Sequence, residues 1–294
     1  MKHHYLTPKD SIQNLINQLT DGMDHTIHLS NGVYYEKLII DRPNITLLSE
    51  SSHQTILMYR DYSYKLHEDG LLYNTFRTST VTITSNNCKL KSLTIKNDAG
   101  HHQTIGQAIA LSVYGDHLWI DDCRLIGNQD TLFLGPLPTD LIERYQHILR
   151  PDFLLPRMTH TVIVNSYIEG NIDFIFGSGN ALIYQTTCMF NADGYLSAPS
   201  TYLGELGIVF YKSSIQSREP HLKIVLARPW RTHGRTIFYN NQFEGIALTN
   251  RFEDWDKPSF DFIEEPYVSS HLSKPLSLED KNQVLSWLNE VGLS

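Results

Sequence analysis

Two carboxylates and the residue types around them carry the chemical content of this chain. Asp173 lies in Gly170-Asn171-Ile172-Asp173-Phe174-Ile175-Phe176-Gly177-Ser178-Gly179, an apolar run bracketed by glycines. A charged carboxylate among aromatic walls is costly unless it is paired. Asp130 lies one repeat earlier, in Gly127-Asn128-Gln129-Asp130-Thr131-Leu132-Phe133. If these segments stack as neighbouring strands, the two carboxylates sit about 4.8 Å apart. They cannot both ionise comfortably without a cation beside one of them. One is then expected to hold its proton and act as an acid, the other to stay charged. The candidate cation is Arg228, in Leu226-Ala227-Arg228-Pro229-Trp230-Arg231. Pro229 stiffens the strand exit, and Trp230 offers a flat platform for a sugar ring. Taken singly, Asp173 also fits a buried strand with one edge acid, and Arg228 a surface arginine.

Paired carboxylates about 5 Å apart also suit a retaining glycosidase. The amides nearby favour carbonyl chemistry. Gln129 precedes Asp130, and Gln107 stands in Gly106-Gln107-Ala108 one strand upstream. Neutral NH₂ donors stabilise an oxyanion forming at a carbonyl carbon. A glycosidase transition state builds positive charge and has less use for them. Asp121-Asp122 resembles a glycosidase acid pair but falls at a turn, where it is expected to be solvated.

The elements that must position these groups are short strands. Thr26-Ile27-His28-Leu29, Leu38-Ile39-Ile40, Ile45-Thr46-Leu47-Leu48 and Val81-Thr82-Ile83-Thr84 are β-branched runs broken by polar turns. Cys88, Cys123, Ser166, Cys188, Ser213 and Asn241 align as anchors of a repeat, each preceded by a polar residue. Apolar residues follow two places later and small ones four places later. Counting seven residues from Cys123 and Ser166 reaches Asp130 and Asp173. Irregular coils of this kind predict one all-β domain over 1–294, a single-stranded parallel β-helix. The alignment also predicts that the three cysteines stack at one inward turn position as small core residues. Helical patterning is confined to the ends. A Thr7-Pro8-Lys9-Asp10 start predicts a helix over about 8–21, and a Ser277 cap one over about 278–291. Both are expected to shield the open ends of the coil stack.

Composition narrows the function. The 294 residues carry a net charge of −8, which argues against nucleic acid and anionic membrane surfaces as partners. Three cysteines make no disulfide framework, and no CxxC or Cys/His spacing suggests a metal. The opening Met1-Lys2-His3-His4-Tyr5-Leu6-Thr7 has no apolar core of a secretory signal, so a cytoplasmic setting is expected. The 14 histidines are scattered and read mostly as surface residues; only His101-His102 falls near the proposed site.

Gly106-Gln107-Ala108, Gly127-Asn128-Gln129-Asp130-Thr131-Leu132, Asp173-Phe174-Ile175-Phe176-Gly177 and Arg228-Pro229-Trp230 together resemble the signature blocks of pectin methylesterases, carbohydrate esterases built on a right-handed parallel β-helix. Ser30-Asn31-Gly32-Val33-Tyr34-Tyr35-Glu36 is similar to that family's early block. The resemblance covers roughly residues 5–260. It implies Asp173 as the nucleophile on a methyl ester and Asp130 as the acid that becomes a base. It implies Gln107 and Gln129 as oxyanion donors and Arg228 as the group that keeps Asp173 ionised and aimed. Trp230, Phe176, Phe133 and Ile172 would line sugar subsites, with Ala198 in the neighbouring Ser197-Ala198-Pro199-Ser200-Thr201 segment. No cofactor or metal is implied. Departures from the family pattern fall at Ala227, Asn128, Phe133, the Ser197–Thr201 segment and Thr161–Asn165; none removes a catalytic group. The excursion from Leu134 to His160, rich in proline, resembles an insertion of a bacterial subset and is expected to overhang the cleft. The expected activity is a monomeric methyl esterase on short methylated oligogalacturonides. A catalytically inactive β-helix that binds such sugars is the alternative. A lyase would need clustered carboxylates for calcium, and the sequence shows none.

Overall fold

A computed structural model describes residues 1–246 and 251–293. The chain winds as a parallel β-helix whose coils each place a strand in three parallel sheets of eleven, eight and seven strands. The strand-rich, alternating sequence dictates this. In the eleven-stranded sheet Ile27, Leu47, Leu90, Ile120, Ile163, Ile183, Phe210 and Phe238 stand in register. All of them are buried, forming one continuous apolar column along the axis. No described helix is long and apolar enough to cross a membrane.

The turns between the eleven- and eight-stranded sheets are locked by a side-chain ladder. Ser166 Oγ accepts from Cys123 N at 3.1 Å, Thr186 Oγ1 from Ser166 N at 3.3 Å, and Ser213 Oγ from Thr186 N at 3.2 Å. Asn241 Oδ1 closes the series by accepting from Ser213 N at 2.9 Å. Each rung satisfies a backbone N–H that the turn would otherwise orphan. The residue before each rung has a left-handed backbone: Asp122, Asn165, Gln185, Lys212 and Asn240. Asn and Asp tolerate that conformation best, which is why polar residues recur there.

This ladder corrects the repeat in two places. Cys123, Ser166, Ser213 and Asn241 do stack. Cys88 instead precedes the strand Lys89–Lys91, one turn earlier in its coil, and Leu93 takes the rung position below Cys123. Cys188 lies two residues beyond its rung, Thr186, and stacks on Ile168 and Ile215. The three cysteines are buried and unpaired, but they do not share one position. The slip has a physical origin. A second turn of the coil also uses left-handed polar residues, Asn44, Asn87 and His117, ahead of buried ones. Asn87-Cys88 therefore imitates Asp122-Cys123.

Both end helices exist with different roles. Helix α1 (Ile12–Gln18) starts after Ser11 rather than at Pro8; Thr7 and Asp10 form a turn before it. Ile12 and Ile16 join the interior core, so α1 does close the first coil. Glu36 binds its N-terminus, accepting from Ile12 N at 2.8 Å and Ser11 Oγ at 3.0 Å. That gives the early Ser30–Glu36 block a structural task. A strand the sequence did not announce, Lys2–Leu6, precedes this helix and pairs with His25–Leu29. The C-terminal helix, Leu278–Glu290, is capped by Ser277 as expected. It does not plug the last coil. Its Val284 and Leu288 lie on the outer face of the eleven-stranded sheet against Leu182, Val209, Ile237 and Ile263. Phe252, packed on Phe238 and Phe262, covers the core at that end instead.

Candidate active site

The seven-stranded sheet carries the site. Its strands run Ile224–Ala227, Gly194–Pro199, Ile175–Gly177, Leu132–Leu134, Leu111–Val113, Val81–Ile83 and Leu38–Ile40. Leu132 pairs with Ile175, so Asp130 and Asp173, each two residues upstream, occupy equivalent points on adjacent coils. Asp130 N donates to Ile172 O at 3.0 Å, which ties the two turns together. Both aspartates have a left-handed backbone, with φ of 66° and 49°. Strained conformations of this kind concentrate where a side chain must be aimed. Gly170 lets the turns approach: a Cβ there would meet Phe174 and the carbonyl of Asn128.

Arg228 grips Asp173 with both arms, Nε to Oδ1 at 2.8 Å and Nη2 to Oδ2 at 2.6 Å. Its guanidinium is itself sandwiched, 3.6 Å from the Tyr195 ring centroid and 3.9 Å from that of Trp255. Stacking on both faces fixes the fork in one plane, as bidentate recognition of a carboxylate needs. Burial raises both carboxyls above their usual range. Asp173 is pulled back by Arg228. Asp130 is pushed well up, by burial first and then by the charge of Asp173, with Arg228 opposing. The pair therefore shares a proton unequally: Asp130 holds it and Asp173 gives it up first.

One pocket gathers Gln107, Gln129, Asp130, Asp173, Arg228 and Trp230. Phe176 and Ala198 form part of its wall, and Trp230 meets Phe176 edge-on at 5.5 Å. Two expected subsite residues are not in that wall. Phe133 is fully buried, packed against Phe76, Tyr114 and Phe176 on the outer face of the sheet. It supports the floor beneath Phe176 and cannot touch a sugar. Ile172 is only half-buried but does not line the pocket among the described residues. Asp121 and Asp122 stay at their turn: Asp122 is exposed, and Asp121 pairs with Lys91 at 3.3 Å.

The chain matches the family model described as Pectinesterase over residues 2–136. It is 28% identical over 271 residues to Pectinesterase A of Dickeya chrysanthemi, covering 79% of this chain and 68% of that one. It is 31% identical over 247 residues to Probable pectinesterase 49 of Arabidopsis thaliana, covering 80% of this chain and 60% of that one. The solved pectin methylesterase PemA from Erwinia chrysanthemi superposes with a TM-score of 0.75 at 24% identity, over 95% of this chain and 94% of that one.

The chain is similar to pectinesterases in sequence and shares their fold.

Several residues that line or support this pocket are not marked by the sequence. Tyr195 and Trp255 hold Arg228, yet neither adjoins a recognisable block; only the tertiary stack reveals them. Phe76 comes from the excursion between the strands Thr55–Tyr59 and Val81–Ile83, whose length was the one available signal. Leu141, Arg144 and Tyr145 come from helix α2 (Thr139–Tyr145), inside the Leu134–His160 excursion. That excursion packs on the sheet through Leu137, Leu141, Leu149 and Phe153, in one cluster with Phe133 and Phe176. Arg231 pins it to the rim by a two-pronged contact to Asp140, at 3.0 and 2.7 Å.

Proposed function

We propose that this protein is a pectinesterase and works by covalent catalysis from Asp173. It is a carboxylic ester hydrolase acting on pectin methyl esters. In the proposed reaction an Asp173 oxygen attacks the carbonyl carbon of a galacturonate methyl ester, and the C=O electron pair moves onto oxygen. The Gln107 and Gln129 amides donate to that oxyanion. Collapse breaks the bond to methoxide, which leaves as methanol with the proton of Asp130. Water then attacks the acyl-enzyme, giving a proton to Asp130 and releasing Asp173. The observation that carries this reading is the ion pair of Arg228 with Asp173 beside a more deeply shielded Asp130 on the adjacent coil. It supplies one charged and one protonated carboxyl at the same moment. Gln107→Ala should lower kcat about 10²–10³-fold, the usual cost of one oxyanion donor. The loss is read from methanol release at saturating substrate.

The preferred substrate is a short methylated oligogalacturonide, handled by a monomeric enzyme in the cytoplasm. Support for size comes from α2, which places Leu141 and Tyr145 in the pocket wall. Tyr145 also meets Phe76 edge-on at 5.7 Å, narrowing one end of the cleft. A net charge of −8 disfavours long demethylated polyanions, and buried unpaired thiols suit a reducing compartment. The test compares kcat/KM on methylated oligomers of a few sugars with that on high-methoxyl pectin at matched ester concentration. Oligomers should be preferred, and replacing α2 by a short turn should raise activity on the polymer. Equal or better wild-type activity on pectin would remove the short-substrate reading.

A further inference from the structure

A second cleft, of about 690 Å³, lies on the outer face of the eight-stranded sheet. That volume suits a small ligand. Two rows of outward side chains cross it. Arg124 stands in register between Thr94 and Tyr167, and Ile126 between Lys96 and Glu169. Residues two apart on a strand share a face, so both rows point the same way. The turns Gly127–Asn128 and Asn171 belong to its wall. From those turns the chain runs on to Asp130 and Asp173, which line the catalytic pocket instead. The two clefts flank the same turns without sharing a lining residue.

This cleft holds hydrogen-bonding groups that the protein leaves unused. Arg124 is half-buried, its guanidinium stacked 4.1 Å from the Tyr167 ring centroid, and it makes no hydrogen bond or ion pair with a described residue. Asn171 is fully buried. Its Oδ1 accepts from Ile172 N at 2.7 Å, which fixes the amide and leaves Nδ2 without a partner. Asn191 Nδ2 donates to Gly127 O at 3.1 Å and Asn128 Oδ1 at 3.3 Å, leaving its buried Oδ1 unpaired. Buried Glu169 accepts on Oε2 from Tyr167 Oη at 2.6 Å and Arg218 Nη2 at 2.7 Å, while Oε1 meets Asn191 Nδ2 at 3.3 Å. Unpaired buried polar groups are costly, and here they gather in one wall. Lys96 is matched by Asp98 and Arg218 by Glu169, so among the Lys, Arg, Asp and Glu side chains of the cleft the surplus charge is that of Arg124.

We propose that this cleft binds an oligosaccharide bearing a free carboxylate, with Arg124 taking the carboxylate and Asn171, Asn191 and Glu169 taking ring hydroxyls. The site goes beyond the esterase reading and does not depend on it. A guanidinium held flat by a ring fits a carboxylate with two parallel hydrogen bonds. A hydroxyl both donates and accepts, so it serves an unpaired amide N–H and an unpaired amide or carboxylate oxygen together. A bare anion would leave the amides unpaired, and a neutral sugar would leave the guanidinium unpaired. The net charge of −8 is no obstacle, because one local cation acts at short range.

Calorimetric titration with fully de-esterified trigalacturonate tests the site, in a Trp230→Ala background that weakens the catalytic cleft. Adding Arg124→Gln should raise Kd about tenfold, the scale of one charge-assisted hydrogen bond. Arg124→Lys should recover part of the loss. Two probes keep the test independent of how well the variant folds. Galactotriose has the hydroxyls without the carboxylate, and sodium acetate has the carboxylate without the ring. Each should bind at least about tenfold more weakly than trigalacturonate. Methanol release at low substrate should be the same in wild type and in Arg124→Gln alone. An unchanged Kd in a folded Arg124→Gln protein, or either probe binding as tightly as trigalacturonate, overturns the assignment. Loss of methanol release in folded Arg124→Gln would overturn the separation of the two clefts. Absence of methanol release by wild type would overturn the esterase reading and leave the titration to decide this site.

Discussion

Asp173→Asn is expected to lower turnover on the order of 10⁶-fold, as removal of a covalent nucleophile does, while the chain stays folded. The carboxylate is the one charged, aimed group in the pocket with both oxygens held by Arg228. An amide of the same shape keeps a carbonyl oxygen to accept from the guanidinium. It has no electron pair of comparable nucleophilicity to offer a carbonyl carbon. The substitution also strips Arg228 of its countercharge, but Tyr195 and Trp255 still stack on the guanidinium. Residual methanol release should therefore be measured beside a thermal melt and a near-ultraviolet dichroism spectrum. Near-wild-type turnover in a folded Asp173→Asn protein would show that another group attacks the ester.

Asp130→Asn should cost about 10²–10⁴-fold in kcat, the range for a lost general acid and base, and should make the protein more stable at alkaline pH. The first effect follows because methoxide is too basic to leave without a proton. The second follows from linkage. Burial and the nearby Asp173 charge raise the Asp130 carboxyl well above its ordinary range in the folded state. A carboxyl with a raised folded pKa favours folding while it stays protonated. That contribution is fully present below the unfolded pKa and is lost as pH rises through the folded one. Asparagine cannot ionise, so the variant escapes the loss. Melting temperatures of wild type and Asp130→Asn, compared from about pH 5 to pH 9, should diverge in favour of the variant as pH rises. The wild-type rate should show the matching profile. It should rise as Asp173 ionises, above the usual carboxylate range, and fall where Asp130 loses its proton. A pH-independent difference in melting temperature would mean that Asp130 is not the group holding the proton.

The sequence by itself determined the coil and its most chemical residues. Short β-branched runs broken by polar turns, with anchors recurring along the chain, pointed to stacked coils, and the register of Asp130 with Asp173 followed from Cys123 and Ser166. Gln107, Gln129 and Arg228 were legible because their types, not their places, limit what they can do. The tertiary structure decided what depends on other coils. Cys88 and Cys188 were misplaced because several turns of one coil share the same local pattern, and only strand pairing tells them apart. Phe133 was mistaken for a subsite because outward-facing and exposed are the same thing in sequence. The Leu134–His160 excursion covers that ring, and burial is a property of what folds over a residue. The C-terminal helix was correctly bounded but wrongly docked, since an apolar stripe does not say which surface will receive it. Tyr195, Trp255 and Arg144 went unread for the same reason. A stacking aromatic or a pocket-wall side chain is defined by its neighbours in space, and those neighbours come from distant coils and an insertion whose path no local pattern encodes.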